Sequence, residues 1–195
     1  MKKFLEVLIK WGPTISTAII SFISAYLLNR KSISANVKAK SRIKWIEEVR
    51  TVTVNFLSSC NELINYVNFR PNGDATPDEK MEYENLMTRT IKYAIELKLF
   101  FSYKPSDYNN KREKHGLIIS EMECSSSNQG MNVKMIYLFD EISEIASKAL
   151  SQLDDLERAD VYDYFKKLPP SYSKDVSYAV SRYLKIEWDR AKKGK

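Results

Sequence analysis

Apolar positions follow two regimes along this chain. From Trp11 to Leu28 (WGPTISTAIISFISAYLL) eighteen residues pass without a charge, whereas from Asn29 onward apolar residues return at helical spacing among polar ones. Eighteen helical residues rise about 27 Å, close to the hydrocarbon thickness of a bilayer. Pro13 suits a first helical turn, where its missing N–H costs nothing, and Trp11 and Tyr26 stand near the two ends, where amphipathic rings favour the interface. From Asn29 to Asn68, Ile43, Ile46, Val49, Thr53, Phe56, Cys60, Leu63 and Val67 repeat with helical period and no Gly or Pro intervenes, which predicts a long stalk continuing from the apolar segment.

Further along, breaks and periodic runs alternate. Residues 69–76 (FRPNGDAT) form a loop, and Thr76-Pro77-Asp78-Glu79 predicts a capping box opening a helix whose stripe is Tyr83, Leu86, Met87, Ile91, Ala94, Leu97 and Phe101. A second break runs from Ser102 to Asn110 around Pro105. A shorter helix is predicted over 111–124, across Gly116, and a third loop at 125–130 (SSSNQG). Periodic positions then run from Val133 to Leu168, with a restart near Asp160 and a stop at Pro169-Pro170, before a last helix from about Ser173 to Lys192 carrying Val176, Val180, Tyr183, Leu184 and Trp188. No two-residue alternation bounded by hairpin turns appears, and no repeat of 20–50 residues. The expected fold is all-α: a single N-terminal transmembrane helix continuing into a cytoplasmic bundle of four to five helices. The divisions are 1–28, membrane anchor; 29–44, basic juxtamembrane segment; and 45–195, cytoplasmic helical domain.

Charge sharpens this division. The 195 residues carry a formal net charge of +6, yet residues 1–44 alone hold nine Lys/Arg against Glu6, or +8, so the other 151 residues sum to −2. A nucleic-acid-binding domain carries its basic patch on the folded body, so nucleic acid is not an expected partner. The basic block flanks the apolar run instead, which points to a lipid surface. Six basic residues and no acid lie between Arg30 and Lys44, against three Lys, the α-amine and Glu6 upstream; the heavier side stays inside, placing the C-terminal domain in the cytoplasm. Two other readings of the apolar run compete. A cleaved secretory signal lacks a small-x-small site before Arg30, and a buried core helix would have to hide five hydroxyls. A single-pass anchor in the cell inner (cytoplasmic) membrane is therefore expected, with Trp11, Arg30, Lys31, Lys38 and Arg42 at the lipid headgroups.

The anchor is itself patterned. Thr14, Thr17, Ala18, Ser21 and Ala25 share one arc, while Ile15, Ile19, Ile20, Phe22, Ile23 and Leu27 occupy the other. Small and hydroxyl residues let helices approach and hydrogen-bond, so the arc reads as a self-association stripe and the chain as a homo-oligomer. The competing reading is that these hydroxyls bond back to their own helix.

Three stretches carry a resemblance. They are Arg42-Ile-Lys-Trp45-Ile46-Glu-Glu-Val49-Arg50; Ile95-Glu-Leu97-Lys98-Leu99 ahead of a Pro-Ser-Asp-Tyr break and a Lys-Arg-Glu-Lys-His run; and Tyr183-Leu184-Lys185-Ile-Glu187-Trp188-Asp-Arg190. Together they resemble a loose group of uncharacterised small bacterial and phage membrane-anchored proteins with an R-x-x-W-I-x-x-[LV]-R segment and a C-terminal L-K-x-E-W-x-R ending. The resemblance implies a bacterial source and a helical cytoplasmic part, and supplies no activity. Physically both tryptophan motifs read as structural, two helix termini zipped by aromatic packing, with Leu184/Trp188 and Lys185/Asp189 each spaced i,i+4.

No reaction emerges from the residues. Nucleotide-binding glycine loops, nucleophile elbows and H-E-x-x-H are absent. One histidine, His115, reads as a solvated or helix-terminal side chain, and with two distant cysteines there is no zinc spacing. Cys60 falls on an apolar stripe and Cys124 beside a loop. Asp140, Glu141 and Glu144 read as the polar face of an amphipathic helix, and the Tyr/Asp-rich stretch 160–172 as a turn between helices. No catalytic residue, cofactor or metal is expected. The leading expectation is a membrane-anchored, non-enzymatic helical protein acting through self-association or an unknown protein partner at the cytoplasmic membrane face. The alternative is a membrane-disrupting toxic or anti-phage defence effector whose cytoplasmic domain senses a signal such as a nucleotide or phage component.

Overall fold

The computed structural model describes residues 2–69, 76–101, 114–153 and 158–193; within these, side chains are described at 17, 21–68, 76–101, 114–153, 161 and 163–193. These residues form six helices: α1 (Lys2–Phe69), α2 (Pro77–Phe100), α3 (His115–Cys124), α4 (Met131–Ser151), α5 (Arg158–Phe165) and α6 (Tyr172–Lys192). No strand occurs among them, in keeping with the all-α expectation.

α1 is one helix of 68 residues, about 100 Å long at 1.5 Å per residue. It starts at Lys2, so Pro13 lies inside the helix and not in its first turn as the sequence suggested. Its second half belongs to the bundle. Ile46, Val49, Phe56, Cys60, Leu63 and Val67 are buried, on the stripe that the periodicity picked out, and Thr53 joins them by returning its Oγ1–H to the Val49 carbonyl at 2.7 Å. Residues 21–34, by contrast, are exposed without exception, and Phe22 and Leu28 are 75% and 68% accessible.

Among the described residues, no helix is long and apolar enough to cross a membrane. The expected span Trp11–Leu28 has described side chains only at Thr17 and from Ser21 on, and the described apolar stretch there ends in Asn29-Arg30-Lys31. Trp11, Thr14 and Ala18 lie outside the described side chains.

The bundle is built by α1, α2, α4 and α6. α2 opens with the predicted capping box: the Thr76 N–H donates to Glu79 Oε2 at 2.9 Å and the Glu79 N–H to Thr76 Oγ1 at 3.4 Å, an arrangement that contributes about 1 kcal/mol. Its stripe packs on α4 and α1. Gly130, at φ 73°, supplies the left-handed residue that turns the third loop into α4, a conformation other residues adopt only with strain. The long periodic run after Val133 is not continuous. α4 stops at Ser151, and α5 is a separate element that ends before Pro169-Pro170. After the prolines, the Tyr172 N–H donates to the Pro169 carbonyl at 2.9 Å and the chain enters α6.

Aromatic rings join the layers. Phe139 of α4 meets Phe56 of α1 at 5.8 Å and Phe101, the C-cap of α2, at 5.5 Å. Phe101 in turn meets Tyr183 of α6 at 5.1 Å, and Trp45 stands over Phe100, Phe101 and Tyr183 at 6.1–6.4 Å. Beside them Lys98 of α2 pairs with the buried Asp140 of α4 at 2.6 Å. Asp140 is therefore a core residue and not part of a solvated face, because a cation from the facing helix neutralises it.

Candidate functional site

Where α1 enters the bundle it meets the end of α6, and a polar cluster fills the junction. Its centre is Glu187, whose side chain is 9% exposed. Glu187 accepts from Arg190 Nη1 at 2.9 Å and Asn128 Nδ2 at 3.0 Å, and Arg42 Nε of α1 stands 3.3 Å from it. Asn128 Nδ2 also donates to the Tyr183 carbonyl at 3.0 Å. The Tyr183 hydroxyl donates to Asn132 Oδ1, and burial, reinforced by the nearby Glu187 charge, pushes it up to about 12. One carboxylate thus ties together the stalk, the SSSNQG loop and the C-terminal helix. Two recesses of about 700 Å³ each flank the cluster. One lies against Val37, Lys38, Arg42 and Trp45, the other against the loop and Lys193; Tyr183 and Arg190 line both.

The expected headgroup residues divide here. Arg30, Lys31 and Lys38 are exposed on the outer part of α1, whereas Arg42 is half-buried against Glu187. Thr17, Ser21 and Ala25 are exposed on the outer helix. Glu187 itself escaped the sequence reading, although a signal was present. It stands four residues after Tyr183 and seven after Val180, on the apolar stripe of α6, where an acid needs a cation from a neighbouring element.

The two tryptophan motifs do come together, though not ring on ring. Ile46, Arg50 and Val54 of α1 face Leu184, Lys185 and Trp188 of α6 across a groove of about 560 Å³. Trp45 turns away into the aromatic cluster, and Trp188 carries Lys192 Nζ over its ring at 5.4 Å. Lys185 and Asp189 pair at 3.0 Å as their spacing predicted.

A second cluster corrects the reading of His115. It is helix-terminal, as the first residue of α3, but it is not solvated: its side chain is 9% exposed and both ring nitrogens are engaged. Nδ1 faces Glu141 Oε2 of α4 at 2.7 Å and Nε2 faces Asp175 Oδ2 of α6 at 3.0 Å, with the Tyr172 ring at 5.9 Å. Lys114, Glu144 and Lys167 line the same recess. Glu141 is therefore an internal partner and not a solvated acid.

The hydrogen bond to Glu141 outweighs partial burial and raises the His115 pKa, with Asp175 adding to the rise. Burial works against ionisation of Asp175, but hydrogen bonds from Ser171 and His115 hold it below its ordinary value. A raised histidine stabilises the fold fully below its unfolded value, about 6.5, and loses that contribution as pH climbs through the raised one. The lowered carboxyl acts in the opposite sense, its contribution present above the usual carboxylate range and lost as pH falls through the lowered value. Thermal unfolding at pH 6 and pH 8.5 should show the native chain melting about 3 °C lower at the higher pH, while His115→Gln, uncharged at both, should not shift. Equal shifts in the two proteins would refute the clamp.

Cys60 is buried, and burial pushes its thiol up; Cys124 is free and exposed. Among the described residues no group of three His, Cys, Asp or Glu side chains is placed to hold a metal ion. No protein-family model matches this chain, and no curated protein or solved structure matches it either.

Proposed function

We propose that this chain is a membrane-anchored helical protein that self-associates through its N-terminal helix and presents the bundle at the cytoplasmic face for a protein partner. The observation that supports this reading is the exposed apolar stretch 21–28 of α1. Phe22, Ile23, Tyr26, Leu27 and Leu28 are each 50–75% exposed, with no described element packed over them. Apolar area left in water costs about 25 cal/mol per Å², so a sleeve of this kind calls for lipid or another copy around it. Basic residues Arg30 and Lys31 follow immediately, both exposed, as a collar for anionic headgroups would require.

Extraction of membranes with alkaline carbonate tests the anchor: the chain should remain in the pellet, and recovery in the supernatant would end the proposal. Topology has its own probe. Cys124 is exposed while Cys60 is closed off, so a membrane-impermeant maleimide should label spheroplasts only after permeabilisation. For self-association, Thr17→Leu with Ser21→Leu should weaken the oligomer measured by crosslinking in detergent; an unchanged ladder would remove the stripe. The hydroxyls of Thr17, Ser21 and Ser24 on an otherwise apolar helix also support the membrane-disrupting reading. Overproduction that leaves membrane potential and growth intact would dismiss that second reading.

A further inference from the structure

α1 and α6 run antiparallel where they meet. Arg42 stands opposite Glu187 at one end of their contact, and Ser173 Oγ donates to Asn61 at the other. The groove of about 560 Å³ between them follows α1 from Ile46 to Leu57, roughly 17 Å of helix. Its floor is apolar, with Ile46, Val180 and Leu184 buried. On its walls Leu57 and Trp188 are only partly covered, and Val54 is 61% exposed with no described element over it. An apolar trough of this length, rimmed by charge, fits helices laid along it.

The rim says which helices. Glu47 is the one acid lining the groove; Arg50 and Lys185 are its bases, and Ser181 stands between them, all four exposed. Measured from the two end contacts, Glu47 lies within a turn of the level of Lys185, and Arg50 lies at the level of Ser181. A two-fold axis parallel to α1 lays the groove of one copy on that of another, with α1 of each against α6 of the other at an unchanged level. Glu47 of each copy then meets Lys185 of the other, Arg50 meets a serine hydroxyl, and Val54 is covered. Lys185 already pairs with Asp189 on its own helix at 3.0 Å, an exposed contact of small worth that does not hold it back. A two-fold axis across the helices would instead send Glu47 to the end lined by Leu57 and Ser177, where no base lines the groove.

We propose that the α1–α6 groove is occupied by the same groove of a second copy, in a parallel two-fold dimer closed by reciprocal Glu47–Lys185 pairs. The parallel sense leaves both N-terminal helices pointing into one bilayer. It also prolongs one face of α1. That helix is unbroken, and steps of seven or eight residues, two turns each, lead from Ser21 through Leu28, Ala35 and Ile43 to Arg50 in the groove wall. The six Lys/Arg between Arg30 and Lys44 stand to either side of that line, so two stalks joined along it keep their like charges apart. The proposal rests on the self-association reading above and gives it a stoichiometry, a direction and a second contact at the bundle.

The test uses the full chain in nonionic detergent, with two differently tagged variants, Glu47→Lys and Lys185→Glu. Each alone should associate at least tenfold more weakly than the native chain, because like charges meet across the two-fold. Mixed, they should form the heterodimer at least tenfold in preference to either like pair, because both contacts are then complementary. A contact within one chain cannot produce that preference. Val54→Glu should also weaken association at least tenfold with its helical circular dichroism unchanged, while Leu99→Glu on α2, exposed and away from the groove, should leave association as it was. Random mixing of the tagged chains would overturn the groove as the dimer contact. If Thr17→Leu with Ser21→Leu nevertheless abolished the oligomer, the N-terminal helix would be its interface and that reading would stand alone. A native chain that stays monomeric at tens of micromolar would overturn the second copy as occupant, and the groove would belong to an unrelated protein. Carbonate extraction decides the anchor separately in every case.

Discussion

Replacing Phe139 by alanine should destabilise the bundle by about 4 kcal/mol, a large share of the stability of an ordinary domain. Phe139 is fully buried on α4 and touches Phe56 of α1 and Phe101 at the end of α2. Removing the ring leaves a cavity whose walls come from three different helices. Such walls collapse poorly, because each is held by its own backbone. Aromatic pairs of this kind add about 0.5–1.5 kcal/mol beyond area burial, and two, one edge-on and one tilted, are lost together. Phe139→Leu keeps most of the volume and should cost about 1.5 kcal/mol. Leu99, on α2 but 82% exposed, is the control: Leu99→Ala should stay within about 0.5 kcal/mol of the native chain. Urea unfolding in nonionic detergent, followed by tryptophan fluorescence, gives all three values. A Phe139→Ala protein within 1 kcal/mol of the native chain would mean that the aromatic cluster does not hold the layers together.

The same three helices show what was readable from sequence. Helical period marked Phe56 and Leu97 as apolar-face residues and placed Phe139 within a periodic run, and Thr76-Pro77-Asp78-Glu79 marked where α2 begins, because both signals act over a few residues. The pairing of acids was not readable. Asp140, Glu141 and Glu187 look like solvent-facing charges in a list of residue types, yet the structure places them opposite Lys98, His115 and Arg42, from elements 42, 26 and 145 residues away. Separation of that order lies outside any local pattern. The length of α1 was legible only in part. The absence of Gly and Pro after Asn29 predicted continuity into the bundle, while Pro13 suggested a start that the helix does not respect.

Loss of the Glu187 carboxylate should separate stalk from bundle more sharply than its single position suggests. Glu187→Ala removes the common partner of Arg42, Arg190 and Asn128: both guanidinium groups lose this carboxylate, while the Asn128 amide keeps the Tyr183 carbonyl. Breaking a fully buried pair costs about 3–5 kcal/mol, but Arg42 and Arg190 keep 27% and 52% of their side-chain surface, so water compensates in part and about 2–3 kcal/mol is expected. Glu187→Gln retains one acceptor and turns an N–H₂ toward the cations; it should recover less than half of the loss. The loss should be local. Trypsin cleavage at the basic residues 38–50 should accelerate several-fold, while the His115 pH response on the far side of α6 persists. A swapped pair, Arg42→Glu with Glu187→Arg, separates a direct contact from general damage. If the two groups meet as described, the double variant should be more stable than the sum of the single ones by about 1 kcal/mol or more. Additive costs would mean that Arg42 and Glu187 are merely neighbours and that their contact does not hold α1 to α6.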